Sequence, residues 1–391
     1  MTLAICLPAL GGQGQSFWTE KAPITGAVGR FWAAAFSAGG KGYAGTGRTG
    51  FSGNPTQDFW EYDPTSDTWA QIADYPAGVR EGCAAFSTPD KGYVGFGTSF
   101  IAFNSDLYEY DPTANTWTAL PACAASFAYS HGFVLDSLIY IGPENGTNKM
   151  WAYNINQRSW GNIADYPGLD RRAQVAFAAD GKGYIGLGFW VFGSVQKNMY
   201  SYDPATDTWT EVASMDRASD QSTAFSVGKY GYVYNVGGNL KETYRYDAVN
   251  DAWVFEASLP GDRIANASAF SIGDKGYVVF GEATISGGNL PSNKLFEFTP
   301  DSTLGTSIGS RLHVAPLQAW TTAPGAIQVR RSQPTNAHLV LRDVSGREIA
   351  RRDWHSATCD WQVQVPAAGL YLLYLVEQGQ TTALRKLYLV R

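Results

Sequence analysis

The chain is short of charge: Asp, Glu, Lys and Arg make up 16% of its 391 residues, against about a quarter in an ordinary domain. That shortage excludes a coiled coil, and a 45% apolar content excludes disorder. No apolar run reaches the roughly 18 residues of a membrane-spanning helix, so no transmembrane segment is expected. Cysteine is scarce as well. Cys6, Cys83, Cys123 and Cys359 show no CxxC and no other metal-binding spacing. Neither a disulfide framework nor a metal or cofactor site is expected. Histidine is rarest where it would matter: His313, His338 and His355 lie near the C-terminus, and His131 stands alone in the body. A single body histidine leaves no legible Ser-His-Asp set.

Charge is also unevenly spread. Residues 311–391 hold 10 Lys and Arg against 5 Asp and Glu, leaving the first 310 with 19 against 30. The change of sign places a domain boundary near 304–310. An acidic body argues against nucleic acid as a partner, since phosphate binding needs a basic stripe. At the other end, the apolar segment Thr2–Leu10 and the small, polar run Gly11–Ser16 have the form of a signal peptide over 1–15. No Lys or Arg precedes that segment, so the start would be truncated.

What the chain has in excess is glycine, 43 residues, and aromatics, 14%. Both excesses repeat. Lys-Gly-Tyr-x-Gly-x-Gly occurs at 41–47, 91–97 and 182–188, with weaker copies around Tyr140, Tyr232 and Tyr277. The anchoring tyrosines Tyr43, Tyr93, Tyr140, Tyr184, Tyr232 and Tyr277 lie 44 to 50 residues apart, each seven residues after a phenylalanine. Downstream come an aromatic-Asp-Pro turn and a tryptophan, as in Tyr62-Asp63-Pro64 with Trp69. Each unit reads as four short strands, with small residues innermost and Trp outermost, which is the logic of a β-propeller. The sixth unit lacks its tryptophan, while Phe17-Trp18-Thr19 stands unclaimed near the start. That N-terminal strand is expected to complete the last blade and close the ring over 16–303.

These phrases resemble the Kelch family, whose six- or seven-bladed propellers include the galactose oxidase central domain and a bacterial sialic acid mutarotase. The resemblance implies an all-β fold: a six-bladed Kelch β-propeller followed by a small β-sandwich tail. It implies little about activity, because the matching residues are structural. The sequence departs from the usual Gly-Gly ending the second strand, keeping a true pair only at Gly237-Gly238. With one body histidine, copper oxidase chemistry of the galactose oxidase kind is not expected.

Residues 311–391 break the repeat and alternate as strands of a compact sandwich. The turn Asp343-Val344-Ser345-Gly346-Arg347, the turn Pro366-Ala367-Ala368-Gly369-Leu370-Tyr371 and the basic-then-apolar end Arg385–Val390 resemble a type IX secretion C-terminal sorting domain. That resemblance implies recognition by the type IX machinery and a secreted or outer-membrane-surface location. A plain immunoglobulin-like accessory sandwich is the alternative.

In such a meander, the loops joining second to third and fourth to first strands share one face. There, thirteen residues before the anchoring Tyr, stand Arg30, Arg80 and Arg171, with Arg217 and Arg263 nearly equivalent. Phe51, Phe100, Phe103, Phe189, Trp190 and Phe192 make the same face aromatic. Arg with exposed aromatics suits a carboxylate or sugar. The candidate ligand-binding residues are therefore Arg30, Arg80, Arg171, Arg217, Arg263, Phe103 and Trp190. The structural alternative has these arginines bonding loop carbonyls or pairing with Glu81, Asp220 or Asp262. The main functional expectation is a monomeric binding module for a glycan, peptide or protein. The second is a metal-independent sugar mutarotase or epimerase on the same scaffold, needing an Arg and a carboxylate.

Overall fold

The computed structural model describes residues 16–301, apart from 101, 144–146, 191–192, 238–239 and 286–287, together with the strands of 318–389. The expected signal peptide and Cys6 lie outside the described residues. The chain divides into two units, Met1–Gly305 and Thr306–Arg391. Among the described residues no helix is long and apolar enough to cross a membrane.

Among the described residues the first unit contains six four-stranded antiparallel sheets, its blades. Blade one runs Ala34–Ala38, Lys41–Gly45, Phe59–Asp63 and Thr68–Gln71 from inside to outside. Blade six takes Ser268–Ile272, Lys275–Val279 and Leu295–Thr299, and its outer strand is Phe17–Lys21 from the other end of the chain. The register sets Trp18 opposite Phe298, as Trp69 lies opposite Tyr62 and Trp117 opposite Tyr110. Successive innermost strands pack against one another all the way round, that of blade six returning to blade one.

Packing explains the repeated phrase. The second strand is buried on both faces, wedged between neighbouring blades. In blade one Phe36 pairs with Tyr43 and stacks on it, ring centres 4.9 Å apart. Phe36 also fills the space over Gly92 of the next blade, where a Cβ would lie 2.0 Å from the ring. Gly42, Gly183, Gly231 and Gly276 receive Phe270, Phe133, Phe177 and Phe225 in the same way. Glycine precedes the tyrosine because the preceding blade's phenylalanine takes the side-chain space.

The outer edges are clasped. Asp67 accepts hydrogen bonds from the Tyr62 hydroxyl (2.8 Å) and from the backbone N–H of Ala22 in the preceding blade (3.0 Å). Trp69 Nε1 donates to the carbonyl of that same Ala22 (2.9 Å). Ala73 with Asn115 and Trp117, Ala164 with Asp207 and Trp209, and Ala213 with Asp251 and Trp253 repeat this. Between blades two and three the acceptor is missing: Pro121 has no N–H, Arg158 holds the turn position, and the buried Tyr153 hydroxyl has no partner.

Among its described residues the second unit has two antiparallel sheets. One joins Gln318–Ala323, Ala326–Arg330 and Thr358–Gln362; the other joins Ala337–Asp343, Glu348–Trp354, Gly369–Glu377 and Gln380–Leu389. The turn segments 344–346 and 363–368, which carry most of the sorting-domain resemblance, lie outside the described residues.

Candidate functional site at the mouth of the axial channel

The innermost strands enclose a channel lined by small residues. On the loop face its mouth is a cavity of about 30 Å³, bounded by Trp32, Tyr129, His131, Ala173, Gln221 and Asn266 among others. Beneath lies a cavity of about 80 Å³ walled by alanines, with His131, Gln174, Thr223 and Ser268 as its polar lining. Toward the opposite face a wider one of about 230 Å³ opens among Phe86, Phe133, Phe177, Phe225 and Phe270.

The arginine ring does not face this mouth. Arg30, Arg80 and Arg171 are buried, Arg171 completely. Arg30 forms a two-pronged pair with Asp58 at 2.7 and 2.9 Å, and Arg80 one with Asp106 at 3.0 and 2.9 Å. Arg171 donates to Asn198 Oδ1 at 2.9 Å. Each also donates to a backbone carbonyl sixteen residues on: Thr46, Phe96 and Leu187. Burial alone would raise the Asp58 carboxyl, but the Arg30 guanidinium overrides it and holds the group below its ordinary value. Removing one partner would strand a buried charge. These arginines brace the loops, and their acidic partners are Asp58 and Asp106 rather than Glu81, Asp220 or Asp262. Arg217 is exposed. Arg263 is half-buried, bonding the Val236 carbonyl and the Gln221 side chain. Phe103 is exposed beneath the Arg172 guanidinium, 5.0 Å from its ring centre. Trp190 pairs through its backbone with Arg171. Phe192 lies outside the described residues.

The mouth itself is built two positions further along the register, by Trp32, Gly82, Tyr129, Ala173, Gln221 and Asn266, one from each blade. Backbone hydrogen bonds tie this girdle together. The N–H of Gly82 donates to Trp32, that of Tyr129 to Gly82, that of Ala173 to Tyr129, that of Trp32 to Asn266 and that of Asn266 to Gln221, at 2.7 to 3.2 Å. Trp32, Tyr129, Ala173 and Asn266 have φ between 51° and 57°, a left-handed conformation that costs a side-chain-bearing residue about 1 kcal/mol. Gly82 must be small: a Cβ there would lie 2.6 Å from the Tyr129 ring. With Gly82 recessed, Tyr129 and Trp32 meet edge to face at 5.0 Å. One half of the rim is therefore aromatic and the other half offers the Gln221 and Asn266 amides.

Two buried carboxylates flank the rim. Glu81 Oε1 accepts from the Tyr129 hydroxyl at 2.9 Å, while Oε2 has no hydrogen bond and lies 3.5 Å from Arg48 Nε. Burial pushes the Glu81 carboxyl above its ordinary value, against the pull of Tyr129 and Arg48. Glu282 Oε2 accepts from Asn266 Nδ2 at 3.2 Å, and its Oε1 has no partner. His131 Nδ1 and Gln174 Oε1 are likewise buried without partners. Each such atom costs roughly 1–3 kcal/mol unless water or a ligand meets it. Among the described residues no group of three or more His, Cys, Asp or Glu is placed to hold a metal. Cys83 lines the channel and burial pushes its thiol up to about 12, while Cys123 packs in a different core cluster.

The repeat register could have located the girdle, but its residue types share nothing, so no motif marked it. In the sequence Glu81 stood out only as an alternative partner for the arginines.

No protein-family model matches the chain. It is 30% identical over 113 residues to an N-acetylneuraminate epimerase of Pasteurella multocida, covering 27% of this chain and 30% of that protein. It is 35% identical over 100 residues to N-acetylneuraminate epimerase 1 of Escherichia coli, covering 24% of this chain and 27% of that protein. The matches thus span under a third of these curated relatives. Kelch domain-containing protein 7A of Mus musculus is 25% identical over 157 residues, 38% of this chain and 18% of that protein. The solved structure of YjhT superposes with a TM-score of 0.56 at 14% identity, covering 71% of this chain and 96% of that one. The relatives named as epimerases correct the expectation of a non-catalytic binding module in favour of the second reading. Repeat and solved structure agree on the scaffold: the body of this chain is a β-propeller, similar over part of its length to Kelch-domain proteins.

Proposed function

We propose that the propeller is a sugar epimerase acting on an acidic amino sugar of the N-acetylneuraminate kind. The reaction would interconvert the configurations at the anomeric carbon through the open-chain form. The observation that supports it most is Glu81, a buried carboxyl held by Tyr129 at the rim of the mouth. Anomeric exchange requires one proton to leave the anomeric hydroxyl and another to reach the ring oxygen, then the reverse. A carboxyl whose burial favours its protonated form is suited to handing a proton to a ring oxygen. The Tyr129 hydroxyl carries that proton between Glu81 and the sugar. Trp32 offers its ring to an apolar sugar face, and the Gln221 and Asn266 amides offer donors and acceptors to hydroxyl and acetamido groups. Arg48 and Arg172, stacked on Phe100 and Phe103 at 5.0 Å, provide the positive charge that a sugar carboxylate requires.

The test is the rate at which one pure anomer of N-acetylneuraminate relaxes to its equilibrium mixture, followed by proton NMR. The protein should accelerate relaxation, and Glu81→Gln should lower kcat about 100-fold or more with the melting transition retained. A wild-type protein that leaves the relaxation rate at its buffer value would defeat the reading.

For the second unit we propose the role its turns and basic end suggest: a sorting domain read by the type IX machinery, delivering the propeller to the medium or the outer-membrane surface. Removing 311–391 should then abolish export while the propeller remains folded inside the cell. Continued appearance of the truncated protein in the medium would rule this out.

A further inference from the structure

His131 and Gln174 line the 80 Å³ cavity beneath the mouth, and each carries a buried side-chain atom without a partner, Nδ1 and Oε1. His131 also lines the mouth cavity itself. It therefore borders both the place where a sugar would sit and the space below. Its ring is engaged with the Gln174 backbone, while the Gln174 side chain is committed through Nε2 to the Gly142 carbonyl at 2.9 Å. An imidazole that donates to a carbonyl through one nitrogen presents a lone pair on the other. A cavity of 80 Å³ has room for about two waters, at roughly 30 Å³ each. The orphaned nitrogen and amide oxygen are the anchors such waters need.

We infer that His131 is the proton acceptor that complements Glu81, acting on the anomeric hydroxyl through a water held against Nδ1. This rests on the epimerase reading. As the ring opens, the anomeric O–H gives its proton to the water, which passes one to Nδ1, and the anomeric carbon forms its carbonyl. The ring C–O bond breaks, its electron pair stays on the ring oxygen, and that oxygen takes the proton relayed from Glu81 through Tyr129. Closure on the other face reverses every transfer, so both groups return to their starting states.

Burial keeps the imidazole neutral below its ordinary titration range, consistent with this role. The other titratable groups around the two cavities are Cys83, Tyr129 and Asp220. The thiol and phenol are both pushed upward by burial, so neither produces a loss of rate on the acid side.

The experiment is the pH profile of anomer exchange for wild-type protein, His131→Gln and Asp220→Asn. His131→Gln should lower kcat about 100-fold, leave KM within about twofold and remove the acid limb of the profile; Asp220→Asn should keep that limb. An active wild type whose acid limb persists in His131→Gln overturns the inference and leaves the epimerase reading standing, whereas an inactive wild type removes both. Should His131→Gln fail to fold, nitrogen NMR of the wild-type imidazole decides. An unprotonated Nδ1 at neutral pH whose resonance shifts with N-acetylneuraminate supports the role; a protonated or unresponsive Nδ1 ends it.

Discussion

The seam between blades two and three lacks two of the three contacts that its neighbours share. Elsewhere glycine makes room for the preceding blade's phenylalanine; here Ile139 holds that position, and Gly132 in the adjoining strand yields space to Phe86 instead. At four of the other five seams an Asp or Asn turn clasps an alanine N–H; here Pro121 offers none and Arg158 accepts none. Arg158 is also left-handed, with φ 51°, like Asp67, Asn115, Asp207 and Asp251, and only the last four are of the type that tolerates it well. What survives is the bond from Trp160 Nε1 to the Pro121 carbonyl at 2.8 Å. The substitutions match one another: without a donor, the acceptor has nothing to accept. A propeller seam is therefore a set of coupled contacts that change together, and the tryptophan is the part that persists.

That comparison can be broken first by exporting the odd seam's residue. Gly92→Ile should destabilise by about 3 kcal/mol in urea unfolding, because its side chain must enter the space of the Phe36 ring. A change under 1 kcal/mol would show that the wedge can open at little cost. Next, Asp67→Ala should cost about 2 kcal/mol by depriving the Tyr62 hydroxyl and Ala22 N–H of their acceptor, while Arg158→Ala should stay within about 0.5 kcal/mol. The clasp can also be installed. Pro121→Ala combined with Arg158→Asp should gain about 1 kcal/mol beyond the sum of the two single changes in a double-mutant cycle; strict additivity would mean the geometry does not transfer.

The smallest effect concerns pH. Burial would raise Asp67, but the Ala22 N–H, the Tyr62 hydroxyl and Lys21 together hold it below its ordinary value. Its contribution is therefore complete above about pH 4, the unfolded carboxyl's range, and fades as pH falls through the lower folded value. Asp67→Asn keeps an acceptor, as Asn115 does in the next seam. It should cost less than Asp67→Ala at neutral pH and flatten stability between pH 4 and pH 2, as measured by acid-dependent melting.

The all-β propeller was legible because its determinants are repeated. Phe, Gly, Tyr and Trp recur in register since each fills the same wedge, and Trp18 completes the pattern from the other end of the chain. The site was less legible for the same reason. Arg30, Arg80 and Arg171 recur and so attracted attention, yet recurrence marked them as braces, whose partners Asp58 and Asp106 also hold fixed registers. The mouth is made of Trp32, Gly82, Tyr129, Ala173, Gln221 and Asn266, which share only a position. His131 was visible as the lone body histidine, but not that it would line a cavity together with Gln174 and keep its Nδ1 without a partner.

The girdle separates place from identity. All six of its positions are tied to a neighbour by a backbone hydrogen bond, so at every one but Gly82, where a Cβ would meet the Tyr129 ring, a side chain can be exchanged without moving the chain that carries it. The rim therefore behaves as an alphabet with fixed slots, and on the epimerase reading proposed above substrate range would drift by respelling those slots while the walls beneath remain unaltered.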